Sequence, residues 1–163
     1  MSKRPPRLFN DFADLLLALT QKKCRFVVIG AHAMAAWGYV RATGDLDVLI
    51  DPSPENAERV YAALTKFGAP LRSVTPRDFA TLGTVYQIGL PPLRIDILNR
   101  IDGVETKLAY SRAKRTKVAG VSVRVLSLDH LVKNKLRTGR AKDVIDANEL
   151  RKIQKRKPKK RSE

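Results

Sequence analysis

Three aspartates sit where the hydrophobic pattern predicts strands. In Asp45-Leu46-Asp47-Val48-Leu49-Ile50 the two acids are separated by one residue, so both side chains leave the same face, roughly 6–7 Å apart along the strand. The third, Asp96, lies between two isoleucines in Arg94-Ile95-Asp96-Ile97-Leu98. A carboxylate buried there without a partner would cost several kcal/mol. A hard divalent cation, shared between carboxylates and substrate phosphates, is one way to satisfy such acids. If the two strands are neighbours, Asp96 completes a three-carboxylate cluster able to hold two Mg²⁺ ions, with Mn²⁺ as the substitute. A pair of such ions, about 3.5–4 Å apart, activates an attacking oxygen and stabilises a leaving phosphate. The structural alternative is that Asp-x-Asp marks an ordinary strand entry and that Arg94, on the same face as Asp96, neutralises it. A strand ending in Gly30 adds weight to the phosphate reading. Ile29-Gly30-Ala31 passes from an apolar run into a helical pattern, where backbone N–H groups can meet phosphate.

The elements that must position these residues follow from periodicity. Phe12, Leu15, Leu16 and Leu19 predict an amphipathic helix over 10–22 with Asn10 as its cap. Arg25–Ile29 predicts a buried strand, residues 31–39 a short helix and residues 45–50 the strand of the acidic pair. Ser53 and Pro54 open a helix that Gly68 closes. Residues 69–83 read as loop, 84–90 and 93–98 as two strands joined at Pro91-Pro92, and 104–113 as helix. A strand at 121–126, a helix capped by Ser127 and a last helix over 140–154 complete the order. The expected fold is α/β (α+β): a mixed central sheet flanked by helices, with C-terminal helices and a basic tail. One domain spans 10–154, between a flexible basic N-terminus (1–9) and a disordered basic tail (155–163).

The string Val28-Ile29-Gly30-Ala31-His32-Ala33, followed by Arg41-Ala42-Thr43-Gly44-Asp45-Leu46-Asp47-Val48, resembles the DNA polymerase β-like nucleotidyltransferase superfamily. Its signature is a hydrophobic residue, Gly-Gly or Gly-Ser, a spacer and then Asp-x-Asp/Glu among apolar residues. The spacer here, residues 32–44, is at the long end of the usual range, and Ala31 stands where relatives carry Gly or Ser. Ser127–Leu136 and then Arg140-Ala141-Lys142-Asp143-Val144-Ile145-Asp146 resemble the Lys-Leu…Arg-x-Lys-Asp-x-x-Asp segment of minimal, AbiEii-like nucleotidyltransferases. The resemblance covers roughly residues 24–150. It implies that Asp45, Asp47 and Asp96 are catalytic metal ligands and that Asp96 is nearest the acceptor hydroxyl. It implies nucleotide contacts by Gly30, Ala31 and Lys135, with Asp143 in the same site; Arg41 and Thr43, just before the acidic pair, either order the nucleotide-phosphate loop or form a turn. It further implies NTP as substrate, a tRNA or other RNA end as the favoured acceptor, and a cognate antitoxin as partner. Taken alone, Lys135 reads as a solvated helix residue and Asp143 as a partner of Arg140 or Lys142. His32 reads as packing near the site, Cys24 as a small buried residue.

Composition sets the outer limits. The 163 residues are 44% hydrophobic and 29% charged, the profile of a folded domain. No apolar run approaches the roughly 20 residues of a spanning helix, so no membrane role is expected. One cysteine excludes an intrachain disulfide and a multi-thiolate metal site, which points to a reducing, cytoplasmic setting. The net charge is +16, with Arg151, Lys152, Lys155, Arg156, Lys157, Lys159, Lys160 and Arg161 crowded into the last 13 residues against Glu163. Such an arm either binds polyanions through their phosphates, reading no sequence, or serves as a solubilising tail. A homodimer would cover a sheet this small. The competing functional classes are a catalytically degenerate fold acting as a nucleic-acid-binding or antitoxin-like module, an unrelated basic α/β binding protein whose acids are structural, and a metal-dependent nuclease.

Overall fold

The computed structural model describes residues 8–41, 44–90 and 93–156. Helix α1 runs over Leu8–Gln21, β1 over Phe26–Ile29, α2 over Gly30–Ala36, β2 over Asp45–Ile50 and α3 over Pro54–Phe67. Then follow α4 (Pro76–Ala80), β3 (Val85–Ile88), β4 (Arg94–Leu98), α5 (Thr106–Ser111), β5 (Lys114–Val118), β6 (Val121–Val125), α6 (Leu128–Thr138) and α7 (Ala141–Arg156). Local chemistry accounts for most boundaries. The Ser53 hydroxyl accepts the Asn56 N–H at 3.3 Å and the Ser127 hydroxyl accepts the His130 N–H at 3.2 Å, so each caps the helix it precedes.

Six strands form one mixed sheet in the order β3-β4-β2-β1-β6-β5. The centre is the four-residue β1, buried at every position, antiparallel to β2 and parallel to β6. β2 is parallel to β4, which places the entries of both strands at the end of the sheet where β1 delivers Gly30. One apolar core runs through the sheet and into α1, α3 and α6, with Leu15, Leu16, Leu19, Leu46, Leu64 and Leu131 at or below 1% exposure.

The structure corrects four expectations. α1 begins at Leu8, so Asn10 lies inside the helix and is not its cap, and the helix takes in the last two residues assigned to the flexible N-terminus. Residues 69–83 are not all loop: Pro76 opens α4, the Thr75 N–H donates to Asp78 Oδ2 at 2.8 Å, and Phe79 is buried. The mostly charged pattern Lys-Arg-Thr-Lys-Val does not predict a strand, yet it forms β5; this is an edge strand, where lysines suit a face open to water. α7 continues to Arg156, so Lys155 and Arg156 belong to a helix and not to the tail. Lys157, Lys159, Lys160 and Arg161 lie outside the described residues.

Candidate active site

Register on the sheet brings the three acids together. β2 and β4 pair with Asp47 opposite Asp96 and Asp45 opposite Arg94, so all four side chains share one face. On the other side of β2, Asp47 pairs with Ile29, the residue before Gly30. Asp96 is 9% exposed between the buried Ile95 and Ile97. Arg94 spans the group: its Nη2 lies 3.6 Å from Asp45 Oδ2 and its Nε 3.1 Å from Asp96 Oδ1. The sequence points to Arg94 only as a neutraliser of Asp96; the structure gives it two carboxylates to balance.

One guanidinium does not quiet three carboxylates. Burial raises the Asp47 pKa to about 6, helped by the charge of Asp96, a hydrogen bond shared with that residue and the charge of Asp45; Arg94 opposes the rise. Gly30 explains how Asp47 fits so close to the chain. Its φ is +66°, and a Cβ built there would stand 2.4 Å from Asp47 Oδ2. Only glycine both adopts that turn and leaves room for the carboxylate. The ring of His32 packs edge-on against Phe12 at 5.5 Å, and burial lowers its pKa against a hydrogen bond to the Asp45 backbone. It is thus a packing residue beside the site, as expected.

The donor chemistry suits a hard divalent ion: three carboxylates on one face, with a mutual repulsion that a cation would relieve. They do not stand as a finished ligand shell. Among the described residues no group of three or more His, Cys, Asp or Glu side chains is disposed to hold a metal, and Arg94 lies against oxygens of two of the three acids.

Lys135, Asp143 and Arg41 meet in a second cluster. Lys135 Nζ lies 3.4 Å from Asp143 Oδ1 and 3.1 Å from Asp146 Oδ2. Arg140 Nε and Thr138 Oγ1 reach Asp143 Oδ2 at 2.7 and 2.9 Å. Arg41 Nη1 donates to both oxygens of Asp146 at 2.6 and 2.7 Å, and Tyr39 Oη adds a contact of 3.1 Å. Both aspartates are at most 1% exposed. Burial alone would raise the Asp143 pKa; the hydrogen bonds from Arg140 and Thr138 and the charge of Lys135 outweigh it and hold the carboxyl at about 2. Sequence reasoning gives roles to Asp143, Lys135 and Arg41, quotes Asp146 only as the end of a motif and reads Tyr39 as core or pocket wall; the structure makes both partners in the cluster. The available signal is the Asp-x-x-Asp spacing, which puts both acids on one face of α7. The cluster fastens α6 and α7 to the segment that leads into β2. Thr43, in that segment, lies outside the described residues.

Arg151, Lys152, Lys155 and Arg156 are exposed on α7, where Lys152 pairs with Glu149 at 2.9 Å. Cys24 is buried, and burial pushes its thiol up to about 12. No helix among the described residues is long and apolar enough to cross a membrane.

The model of a family described as "Nucleotidyl transferase of unknown function (DUF2204)" matches residues 8–162. Among solved structures, the fold is similar to a candidate nucleotidyltransferase (TM1012) from Thermotoga maritima. The TM-score is 0.58 at 18% identity, over 91% of this chain and 92% of that one. No curated protein matches the sequence.

Proposed function

Because the chain belongs to this family of nucleotidyl transferases of unknown function, we propose that it moves a nucleoside monophosphate from an NTP to an acceptor hydroxyl and releases pyrophosphate. The observation that carries the reading is the register of β2 on β4, which sets Asp45, Asp47 and Asp96 on one face beside Gly30. Mg²⁺ held by these three aspartates would supply charge neutralisation for the leaving pyrophosphate and acidity for the acceptor hydroxyl. The chain's own residues do the rest by positioning and charge, as phosphoryl transfer requires. Asp47 is fixed against Gly30, Arg94 balances the flanking carboxylates before substrate arrives, and Asp96 is the candidate to hold the acceptor proton. Gly30 and Ala31 are the proposed backbone contacts to nucleotide phosphate. Lys135 and Arg41, both turned toward Asp146, act by holding the entry to β2 in place.

The favoured acceptor is an RNA end such as that of tRNA; a protein side chain or small molecule would suit the same chemistry. The AbiEii-like likeness extends the proposal to a cytoplasmic toxin restrained by a cognate antitoxin, and a sheet of this size to a homodimer. The test is incubation with Mg²⁺, each α-labelled NTP in turn and a mixed tRNA pool, beside Asp47→Ala. Label transferred to RNA by the wild type and lost in the variant supports the reading and names the acceptor class. No transfer and no calorimetric binding of Mg²⁺–NTP would refute it.

One observation favours a second reading. Arg94 already engages Asp45 and Asp96, as expected of a catalytically degenerate fold that survives as a nucleic-acid-binding or antitoxin-like module. That protein would bind nucleic acid identically with Mg²⁺ or with EDTA and would ignore NTP.

A further inference from the structure

A second basic feature lies on the folded body, at the other end of β1 from the aspartates. Lys23, Phe26, Tyr110, Arg115, Ser122 and Arg124 line a cleft of about 230 Å³. It gathers the turn after α1, the start of β1, the end of α5 and the edge pair β5–β6. Its register is unusual: Arg115 stands directly opposite Arg124, and Lys117 opposite Ser122. Like charges facing each other across an antiparallel pair destabilise it. Here no carboxylate lines the cleft, and among the described residues Lys23, Arg115 and Arg124 enter no salt bridge. The partners that the two arginines do have are neutral. Arg124 lies over the Tyr110 ring at 4.4 Å, and Arg115 Nη1 is 3.4 Å from Ser122 Oγ. These contacts aim the guanidiniums without neutralising them.

We propose that this cleft binds the phosphodiester backbone of a polynucleotide, which, on the nucleotidyl-transfer reading, is the acceptor strand. Three cations from three separate elements converge with no anion, and guanidinium forks match phosphate oxygens. The charge continues on the same face of the edge strand through Lys117, two residues on from Arg115, so the surface suits a chain of phosphates better than one. Phe26 pairs with Ile50, three residues along β2 from Asp47, which is roughly 10 Å along the strand. That separation calls for a polymer; a mononucleotide at the aspartates would not reach.

The experiment is fluorescence anisotropy of the full chain with a labelled 20-mer RNA, in EDTA and without NTP, across a salt series. Binding is compared between wild type, Arg115→Gln/Arg124→Gln, Arg115→Lys/Arg124→Lys and a tail variant with Lys157, Lys159, Lys160 and Arg161 changed to Gln. The Gln pair should weaken binding by tenfold or more and flatten the log–log salt slope by roughly 1.4, two single-strand phosphate contacts. The Lys pair should keep most of the affinity, and thermal melting should show that both doubles fold. Unchanged affinity in the Gln pair, or loss confined to the tail variant, overturns the proposal. So does competition by a trinucleotide or inorganic phosphate at the affinity of the 20-mer. Because the assay contains neither divalent metal nor NTP, failure of nucleotidyl transfer leaves this result standing.

Discussion

The molecule buries aspartates in two places and treats them oppositely. On α7, Asp143 and Asp146 meet Lys135, Arg140 and Arg41, with Thr138 and Tyr39 supplying hydroxyls. On β2 and β4, Asp45 and Asp96 share the guanidinium of Arg94, and Asp47 feels that charge as the weakest of the influences on its own. The consequence is chemical: Asp143 is held at about 2, whereas Asp47 is pushed to about 6. An excess of cations makes a clamp, in which the carboxylates are already satisfied. A deficit makes a site whose electrostatics improve when a cation arrives. The second arrangement costs stability in the free protein, and such a cost is kept at functional sites.

The difference is sharpest under substitution. Asp47→Asn should lower nucleotidyl transfer by at least about 10²-fold, the scale of removing one charge-stabilising group from a site of this kind, in the labelled-NTP assay. Asp146→Ala should act on the fold: stripping one partner from a buried ion-pair network leaves Arg41 without its carboxylate and Lys135 with Asp143 alone, and costs about 3–5 kcal/mol, read by urea denaturation. An Asp146→Ala protein as stable as wild type would erase the distinction between clamp and site.

The next effect is a stability change of opposite sign. Asp47 has a folded pKa of about 6 against an ordinary 3.8, so the folded chain holds a proton that the unfolded chain has released between those values. Its contribution is unfavourable at pH 7 and fades as pH falls toward 4. In metal-free buffer Asp47→Asn should therefore be more stable than wild type by on the order of 2 kcal/mol at pH 7, and the gap should close as pH falls toward 4. Mg²⁺ should raise the Tm of wild type and not of the variant. Asp143 runs the other way: with its folded pKa at about 2 against an ordinary 3.8, its stabilisation is complete above the ordinary value and is lost as pH falls through the folded one.

Much of this is legible in the sequence. Alternation marks β2 and β4, Ser53 and Ser127 mark helix starts, and the Asp-x-Asp spacing alone puts two acids on one face of a strand. What stays hidden is tertiary. That β2 lies beside β4 in a register pairing Asp47 with Asp96 depends on a crossover of some fifty residues between parallel strands, which no local pattern encodes. The strand β5 stays hidden because an edge strand need not be apolar. Arg41 and Asp146 stand 105 positions apart, so the role of either is visible only from both.

Glycine separates the two clusters with the smallest change. Gly30 and Gly139 have nearly the same φ, +66° and +68°, a left-handed value at which alanine costs roughly 1–2 kcal/mol. Their surroundings differ. At Gly139 the nearest atom to a new Cβ is the Leu136 carbonyl oxygen at 3.8 Å, an ordinary contact; at Gly30 it is Asp47 Oδ2 at 2.4 Å. Gly139→Ala should thus lose about 1 kcal/mol of stability and keep its transfer rate. Gly30→Ala should lose at least as much stability and also lower kcat, because the carboxylate must move off the line it shares with Asp96. Measuring both variants for melting and for transfer isolates the displacement of one oxygen from the strain of one turn. Equal activity losses would mean that Gly30 serves the backbone alone and that the position of Asp47 is not what the site depends on.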